Sequence, residues 1–323
     1  MAGMGIEPYR GRQIFQWLWP KNARSFDDMT DLSKDLRRLL KERYRFINPE
    51  AEKIQVSSDG TRKFLFKLED DVRIESVLIP EGVRRTVCVS TQVGCGLGCK
   101  FCATAKLGLV RDLAAHEIAG QVQQVALETG VRPTNVVFMG MGEPLLNLDQ
   151  VIKAIRVLTS ENGYAISRKH VTVSTAGVII GINRLRESNV RVKLAVSLNF
   201  ADDKTRNEYM PVSRSNPLKD LLAAARQYTT GLDMVTYEYV LIKNVNDAIR
   251  DAARLAKLLQ GTRAKINLIS FNPVPGIALE APDPMRVQKF YEFLLASHQT
   301  VTLRKSHGRD IAAACGQLIG QRD

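Results

Sequence analysis

Apolar and polar positions along the chain follow first one period, then another, and then an alternation of both. Over residues 1–50 the period is helical. Ile14, Phe15, Leu18 and Trp19 share one side of a first helix. Met29, Leu32, Leu36, Leu39 and Leu40 share one side of a second, expected from about Asp27. The other side of that second helix carries Lys34, Arg37, Arg38, Lys41 and Arg43, a face for solvent or for phosphate. Trp17 and Trp19 read as packing residues of this small accessory domain. Over 51–80 the period drops towards two: Phe64, Phe66 and Leu68 alternate with Lys63, Leu65 and Lys67, with apolar Leu65 the misfit. Asp59-Gly60 is a strong hairpin turn, and Val77-Leu78-Ile79 before Pro80 closes a short antiparallel section. Glu75 falls on that hairpin's edge, where a carboxylate is ordinarily solvated.

The third part, 81–323, repeats a short apolar strand, a loop and an amphipathic helix. Strands are expected at 86–90, 135–139, 170–174, 192–197, 235–241 and 265–270. Helices are expected near 113–128, 149–160, 178–188, 217–230 and 247–260. Asp112, Asp149 and Asp247 stand where N-caps belong, and Pro217 suits a first helical turn. Strands joined by helices imply a parallel sheet, and no GxGxxG follows the first strand to mark a dinucleotide fold. A complete eight-unit barrel takes about 250 residues. The expected architecture is therefore α/β, a partial (β/α)6 TIM-like barrel that is open on one side, which suits a large substrate. A further helix at 284–297 and a strand at 300–304 precede a polar, glycine-flanked segment around Cys315.

Charge narrows the partner. Lys and Arg number 46 against 34 for Asp and Glu, a net +12, and the isoelectric point is about 9.6. That balance favours a polyanion, nucleic acid first, over plain solubility. No apolar run reaches membrane-spanning length, and five cysteines, an odd number, do not form a secreted disulfide framework. A cytoplasmic monomer is expected.

The candidate chemistry begins at Cys95-Gly96-Leu97-Gly98-Cys99-Lys100-Phe101-Cys102, a CxxxCxxC loop. Three thiolates leave a structural zinc one ligand short, whereas they can hold three irons of a 4Fe–4S cluster and leave the fourth iron open. Buried core thiols, or zinc with a distant fourth ligand, are the competing explanations. Chemistry in parallel barrels collects at the C-terminal ends of strands. Four other strand ends are polar or glycine-rich: Met139–Pro144, Ser174–Gly177, Ser197-Leu198-Asn199 and Asn272-Pro273. Around a three-thiol cluster they indicate a pocket for S-adenosylmethionine.

CxxxCxxC with Phe101, followed by Gly142-Glu143, resembles the radical S-adenosylmethionine superfamily. Within it, Cys88, GMGEPLLN (140–147), VSTAG (173–177), FNP (271–273) and AACGQL (313–318) resemble the RlmN/Cfr family of RNA adenosine methyltransferases. GRQIFQWLW and MTDLSKDLR resemble that family's accessory domain, so the likeness covers nearly the whole chain. The resemblance implies cluster ligands Cys95, Cys99 and Cys102. It implies cofactor contacts from Gly142, Glu143, Ser174, Ser197, Asn199 and Asn272, and catalytic roles for Cys315, Cys88 and Glu75. In such enzymes one S-adenosylmethionine methylates the cysteine matching Cys315. A second yields a 5′-deoxyadenosyl radical that takes hydrogen from that methyl group. The carbon then adds to adenine, Glu75 matches the acceptor of the ring proton, and Cys88 attacks Cys315 to release product, leaving a transient disulfide.

The resemblance also implies substrates, namely carbon 2 of an adenosine in 23S ribosomal RNA and in some transfer RNAs, and an electron-donating reductase. Pro144 favours carbon 2 over the Cfr-type carbon 8 reaction. A non-catalytic, metal-containing RNA-binding protein is the remaining alternative. The family generally has Ser-Leu-His where this chain has Ser197-Leu198-Asn199; Asn keeps a donor and an acceptor but does not titrate.

Overall fold

The computed structural model describes residues 6–229 and 234–320. The chain termini and position 230, the expected end of one helix, lie outside the described residues. Two helices, Pro8–Leu18 and Lys34–Arg43, precede the strands. In chain order these are β1 (Glu50–Val56), β2 (Arg62–Lys67), β3 (Arg73–Glu81) and β4 (Arg84–Cys88). A short pair, β5 (Gln92–Gly94) and β6 (Leu109–Asp112), brackets the cysteine loop. There follow β7 (Asn135–Phe138), β8 (Val171–Thr175), β9 (Lys193–Ser197), β10 (Val235–Leu241), β11 (Ala264–Ser270) and β12 (Thr300–Leu303).

Apart from the β5–β6 pair, the strands form one ten-stranded sheet in the order β1-β2-β3-β4-β7-β8-β9-β10-β11-β12. Every pairing from β4 to β12 is parallel. The expected six units are thus extended by a seventh parallel strand at the edge. Pairing of β3 with β4 is antiparallel and carries the hairpin section into the same sheet. The sheet curls, because Arg304 just beyond β12 brings Nη1 within 3.9 Å of the Met139 sulfur beyond β7. It is an open, curved barrel rather than a closed one.

Three local expectations are revised. The second helix starts at Lys34, not near Asp27, and Ser33 caps it by accepting the Leu36 N–H. The Asp28 carboxylate accepts the N–H groups of Arg24 and Ser25, and this local bonding competes with helix. Met29 and Leu32 still enter the module's own core with Ile14, Phe26 and Leu40. The helices at 115–129 and 249–259 have Ala114 and Ala248 at their N-cap positions, and the N–H groups of these two are capped from within by Glu117 and Asp251. Asp112 instead accepts from Gln92, and Asp247 faces Arg286. Asn147 occupies the N-cap position before Leu148–Thr159, so Asp149 lies in the first turn and pairs with Arg184. Pro217 is the N-cap residue itself.

The imperfect alternation on β2 also has a cause. Phe64 and Phe66 face the main core, and the opposite side of the strand is covered too, so Lys63 and Leu65 are both buried. A strand covered on both faces loses its polar period.

Gly94 holds the start of the cysteine loop with φ +74°, and a Cβ there would lie 1.9 Å from the Gly108 carbonyl oxygen. Gly94→Ala is therefore expected to separate β5 from β6, lowering stability by about 2 kcal/mol or more. Thermal denaturation together with iron content after anaerobic reconstitution checks this; a variant with unchanged melting and full iron loading would refute it.

Candidate active site

The cysteine loop is pinned along its length by main-chain bonds. Cys95 N–H donates to the Gly108 carbonyl (2.8 Å), Lys100 N–H to Tyr209 (2.9 Å) and Ala103 N–H to Gly316 (2.7 Å). Phe101 packs against Phe200, which stacks on Tyr209 (ring centroids 6.3 and 5.2 Å apart). Cys95, Cys99 and Cys102 all line one cavity, which measures about 1050 Å³ counted out to solvent. Burial pushes the Cys95 thiol up to about 11. It pushes Cys99 higher still, with repulsion from Cys102 and Cys95 adding to it. Among the described residues, no three Cys, His, Asp or Glu side chains converge as ligands of a single metal ion do. Three thiols around one cavity are one ligand short of a structural zinc site and match three corners of a 4Fe–4S cluster. Metal cations would also relieve the cost of ionising buried thiols.

The other strand ends line the same cavity. Gly142 follows β7 with φ +95°, and a Cβ there would strike the Gln92 side chain at 2.5 Å. Glu143 is buried; its two oxygens accept the N–H groups of Leu145 (3.0 Å) and Ala176 (2.7 Å). Burial raises its pKa to about 7, with those two donors opposing the rise. A carboxylate so placed welcomes an ammonium group, which would restore its charge. Ser174 and Ser197 line the cavity at the ends of β8 and β9, and Ser174 donates to Glu238 Oε2 (3.1 Å).

Asn199 also lines it. Its φ is +57°, a left-handed conformation that asparagine tolerates well, and its Oδ1 accepts the Val240 N–H (3.1 Å). Asn272 is committed at both ends of its side chain: Nδ2 donates to the Cys315 carbonyl and Oδ1 accepts from Arg309, each at 3.2 Å.

The C-terminal segment brings the outlying cysteine into this cavity. Its first part docks on the 57–61 turn, where Asp59 accepts the Gly308 N–H (3.1 Å) and Asp310 accepts the Ser58 N–H (3.1 Å). Farther on, Thr104 Oγ1 donates to the Leu318 carbonyl (2.6 Å), beside the cysteine loop. Cys315 is solvent-accessible, but its surface faces inward, lining both the main cavity and a smaller one next to it. Cys88, on β4, lines that smaller cavity. Burial, reinforced by Cys315, pushes the Cys88 thiol up to about 12. All five cysteines are free thiols, so no standing disulfide joins the pair.

Glu75 is not solvated on a hairpin edge. It is 2% exposed and lines neither cavity. Oε1 faces Lys63 Nζ at 3.2 Å, and Oε2 accepts the N–H groups of Ile319 (2.6 Å) and Gly320 (3.1 Å). Lys63 Nζ also donates to the Ala312 carbonyl (3.4 Å). The pair therefore grips the C-terminal segment on both sides of Cys315.

Sequence reasoning missed Lys63, which in a strand that also carries Arg62 and Lys67 reads as an ordinary solvent-facing lysine. It also missed Arg206, fully buried, which donates to the carbonyls of Ala176 (2.6 Å) and Leu198 (3.2 Å) and so ties the β8 and β9 ends together. Burial lowers its pKa to about 10. Glu238 and Arg304, an ion pair at 3.1 Å, lay in segments that read simply as strands.

Removing one partner of a buried ion pair costs about 3–5 kcal/mol. Lys63→Met is accordingly expected to loosen the segment 305–320. Limited proteolysis should cut there at least several-fold faster than in the parent chain, and equal cutting rates would contradict the grip described here.

Known proteins resemble this chain along its whole length. The radical SAM superfamily profile matches residues 89–256, and the profile of the ribosomal RNA large subunit methyltransferase N-terminal domain matches residues 1–45. The dual-specificity RNA methyltransferase RlmN of Geotalea uraniireducens is 47% identical over 100% of this chain and 94% of its own length. The protein of the same name from Geobacter sulfurreducens is 48% identical over 100% of this chain and 89% of its own. A crystal structure of a radical SAM methyltransferase from Sphaerobacter thermophilus superposes with a TM-score of 0.94 at 42% identity, covering 99% of this chain and 95% of that one. An identity this high, sustained over the whole chain, means that the chain belongs to the RlmN family of radical S-adenosylmethionine methyltransferases.

Proposed function

We propose that the protein methylates carbon 2 of an adenosine in 23S ribosomal RNA and in transfer RNA, by way of a methylated Cys315. The observation that carries this reading is that Cys315 lines both the cavity of the three motif thiols and the one beside Cys88. RNA as substrate is supported by the names of the relatives and by the net charge of +12. Carbon 2 is supported by Pro144 and by relatives named RlmN.

Cys95, Cys99 and Cys102 would hold a 4Fe–4S cluster, reduced by a separate electron donor. Gly142, Glu143, Ser174, Ser197, Asn199 and Asn272 would hold S-adenosylmethionine, with Glu143 facing its amine. When bound, these groups supply a transferable methyl group and, on one-electron reduction, a carbon radical that abstracts hydrogen. The protein's own residues do the rest.

Carbon 2 of adenine is electron-poor and does not attack an electrophilic methyl group. Cys315 solves this by taking the methyl group on sulfur and presenting it to the ring, where it adds after losing a hydrogen atom. The single unpaired electron of the adduct would return to the cluster that supplied it, leaving a closed-shell adduct. Glu75 matches the family's acceptor of the ring proton, but it lines neither cavity and is bonded to Lys63, Ile319 and Gly320, so it could take that proton only after this grip on the C-terminal segment opens. Cys88 thiolate then attacks the Cys315 sulfur. The S–S bond forms, the S–C bond breaks, and the electron pair stays with the carbon, which gains a proton to become methyl. A thiol reductant resets the disulfide.

Mass spectrometry of RNA digests after reaction is expected to find 2-methyladenosine; 8-methyladenosine alone would instead support a Cfr-type reaction. Cys88→Ala is expected to accumulate a covalent protein–RNA adduct on denaturing gels, whereas Cys315→Ala should form none. Normal turnover by Cys88→Ala would rule out the release step.

A further inference from the structure

Arg304 sits just past β12 with its main chain fixed, because its N–H donates to the Leu268 carbonyl (2.8 Å). Its guanidinium reaches back across the curved sheet to Glu238 on β10, at 3.1 Å. The other oxygen of Glu238 accepts the Ser174 hydroxyl (3.1 Å), so the carboxylate is held from two directions. Arg304 lines the small cavity together with Cys88 and Cys315. Neither the fold nor the reaction derived above accounts for a half-buried guanidinium at this place.

The release step supplies a need for it. The thiolate, not the thiol, is the nucleophile in thiol–disulfide chemistry. Cys88 is buried, which disfavours its thiolate, and Cys315 opposes it further. The charged and titratable groups around it are few. Glu238 disfavours the thiolate, whereas Arg304 and the Met139 N–H favour it. Lys305 and His307 line the same cavity, and Glu75 on the neighbouring β3 is committed to Lys63. A guanidinium keeps its charge at any ordinary pH, so it acts here as a fixed countercharge and not as a proton donor.

We propose that Arg304, oriented by Glu238, is a positioning residue for product release, stabilising the Cys88 thiolate as it attacks the sulfur of Cys315. This rests on the reading that Cys88 releases the product. Bond changes are those already given: the two sulfurs lose two electrons in forming the disulfide, and the methylene carbon gains them with a proton. Arg304 exchanges no atom and no electron.

The test compares reconstituted Arg304→Met and Arg304→Lys with the parent enzyme, using Cys88→Ala as the control that traps adduct. One readout is the rate at which the protein–RNA adduct resolves across about pH 6.5 to 9.5, a range that brackets the ordinary thiol pKa. The other, in RNA-free enzyme, is alkylation of Cys88 by iodoacetamide over the same range, located by peptide mass spectrometry. Arg304→Met is expected to slow both by roughly tenfold or more near neutral pH, as a rise of one unit in thiol pKa would. Because the Cys88 thiol is pushed up to about 12, both rates should climb with pH in parallel over this range and the deficit should persist, while Arg304→Lys, which keeps the charge, should recover part of it. Parent-like rates in Arg304→Met would overturn the proposal, as would a slowing that Arg304→Lys does not relieve, which marks lost packing. Should Cys88→Ala accumulate no adduct, the release reading itself fails, and the alkylation profile alone then decides whether Arg304 supports the thiolate.

Discussion

One ammonium and two backbone N–H groups converge on the carboxylate of Glu75, and the position of Cys315 depends on that convergence. The segment after β12 has one short 3-10 turn and no strand among the described residues, so it has no ladder to hold it in place. Side chains from β2, from β3 and from the turn before β2 hold it instead. Asp59 and Ser57 fix its start, Lys63 holds Ala312, and Glu75 holds Ile319 and Gly320. A buried pair of this kind is weak as a source of net stability but severe when broken, because the remaining charge is left without a partner. It therefore specifies one seat for the segment. That is what a cysteine needs if its sulfur is to serve two cavities.

The curved parallel sheet provides the other half of the arrangement. Strand ends that are far apart in sheet order come to face one cavity because the sheet curls without closing. Arg206 bonds the carbonyls beyond β8 and β9, and Gly142 admits the Gln92 side chain where any Cβ would collide. The Cys95 and Cys99 thiols in this cavity are raised by burial, and so is Glu143. Burial favours the neutral form of each of these groups, and a cation would restore the charged form. The site is electrostatically unsatisfied by itself, which is the ordinary condition of a binding site and not of a core.

Much of this was legible in consecutive residues. The helical and strand periods placed the six barrel strands within a few residues, and the cysteine spacing with the polar strand ends marked the cavity. The misreadings share a cause. Asp112, Asp149 and Asp247 stand near helix starts but bond elsewhere, since Glu117 and Asp251 cap from inside the helix. Glu75 and Lys63 looked like surface residues of a hairpin because the segment that buries them is far away in the chain. At Asn199 the left-handed backbone and the bond accepted from Val240 show a local structural role that the sequence did not announce.

Local pattern by itself determined the α/β class, the cluster loop and the family, because each is encoded in spacings of a few residues. Tertiary structure alone decided which groups act together. Glu75 and Ile319 are 244 positions apart, and Arg304 and Glu238 are 66 apart. No periodicity spans such distances, so these pairings exist only once the sheet has curled and the C-terminal segment has crossed its open side.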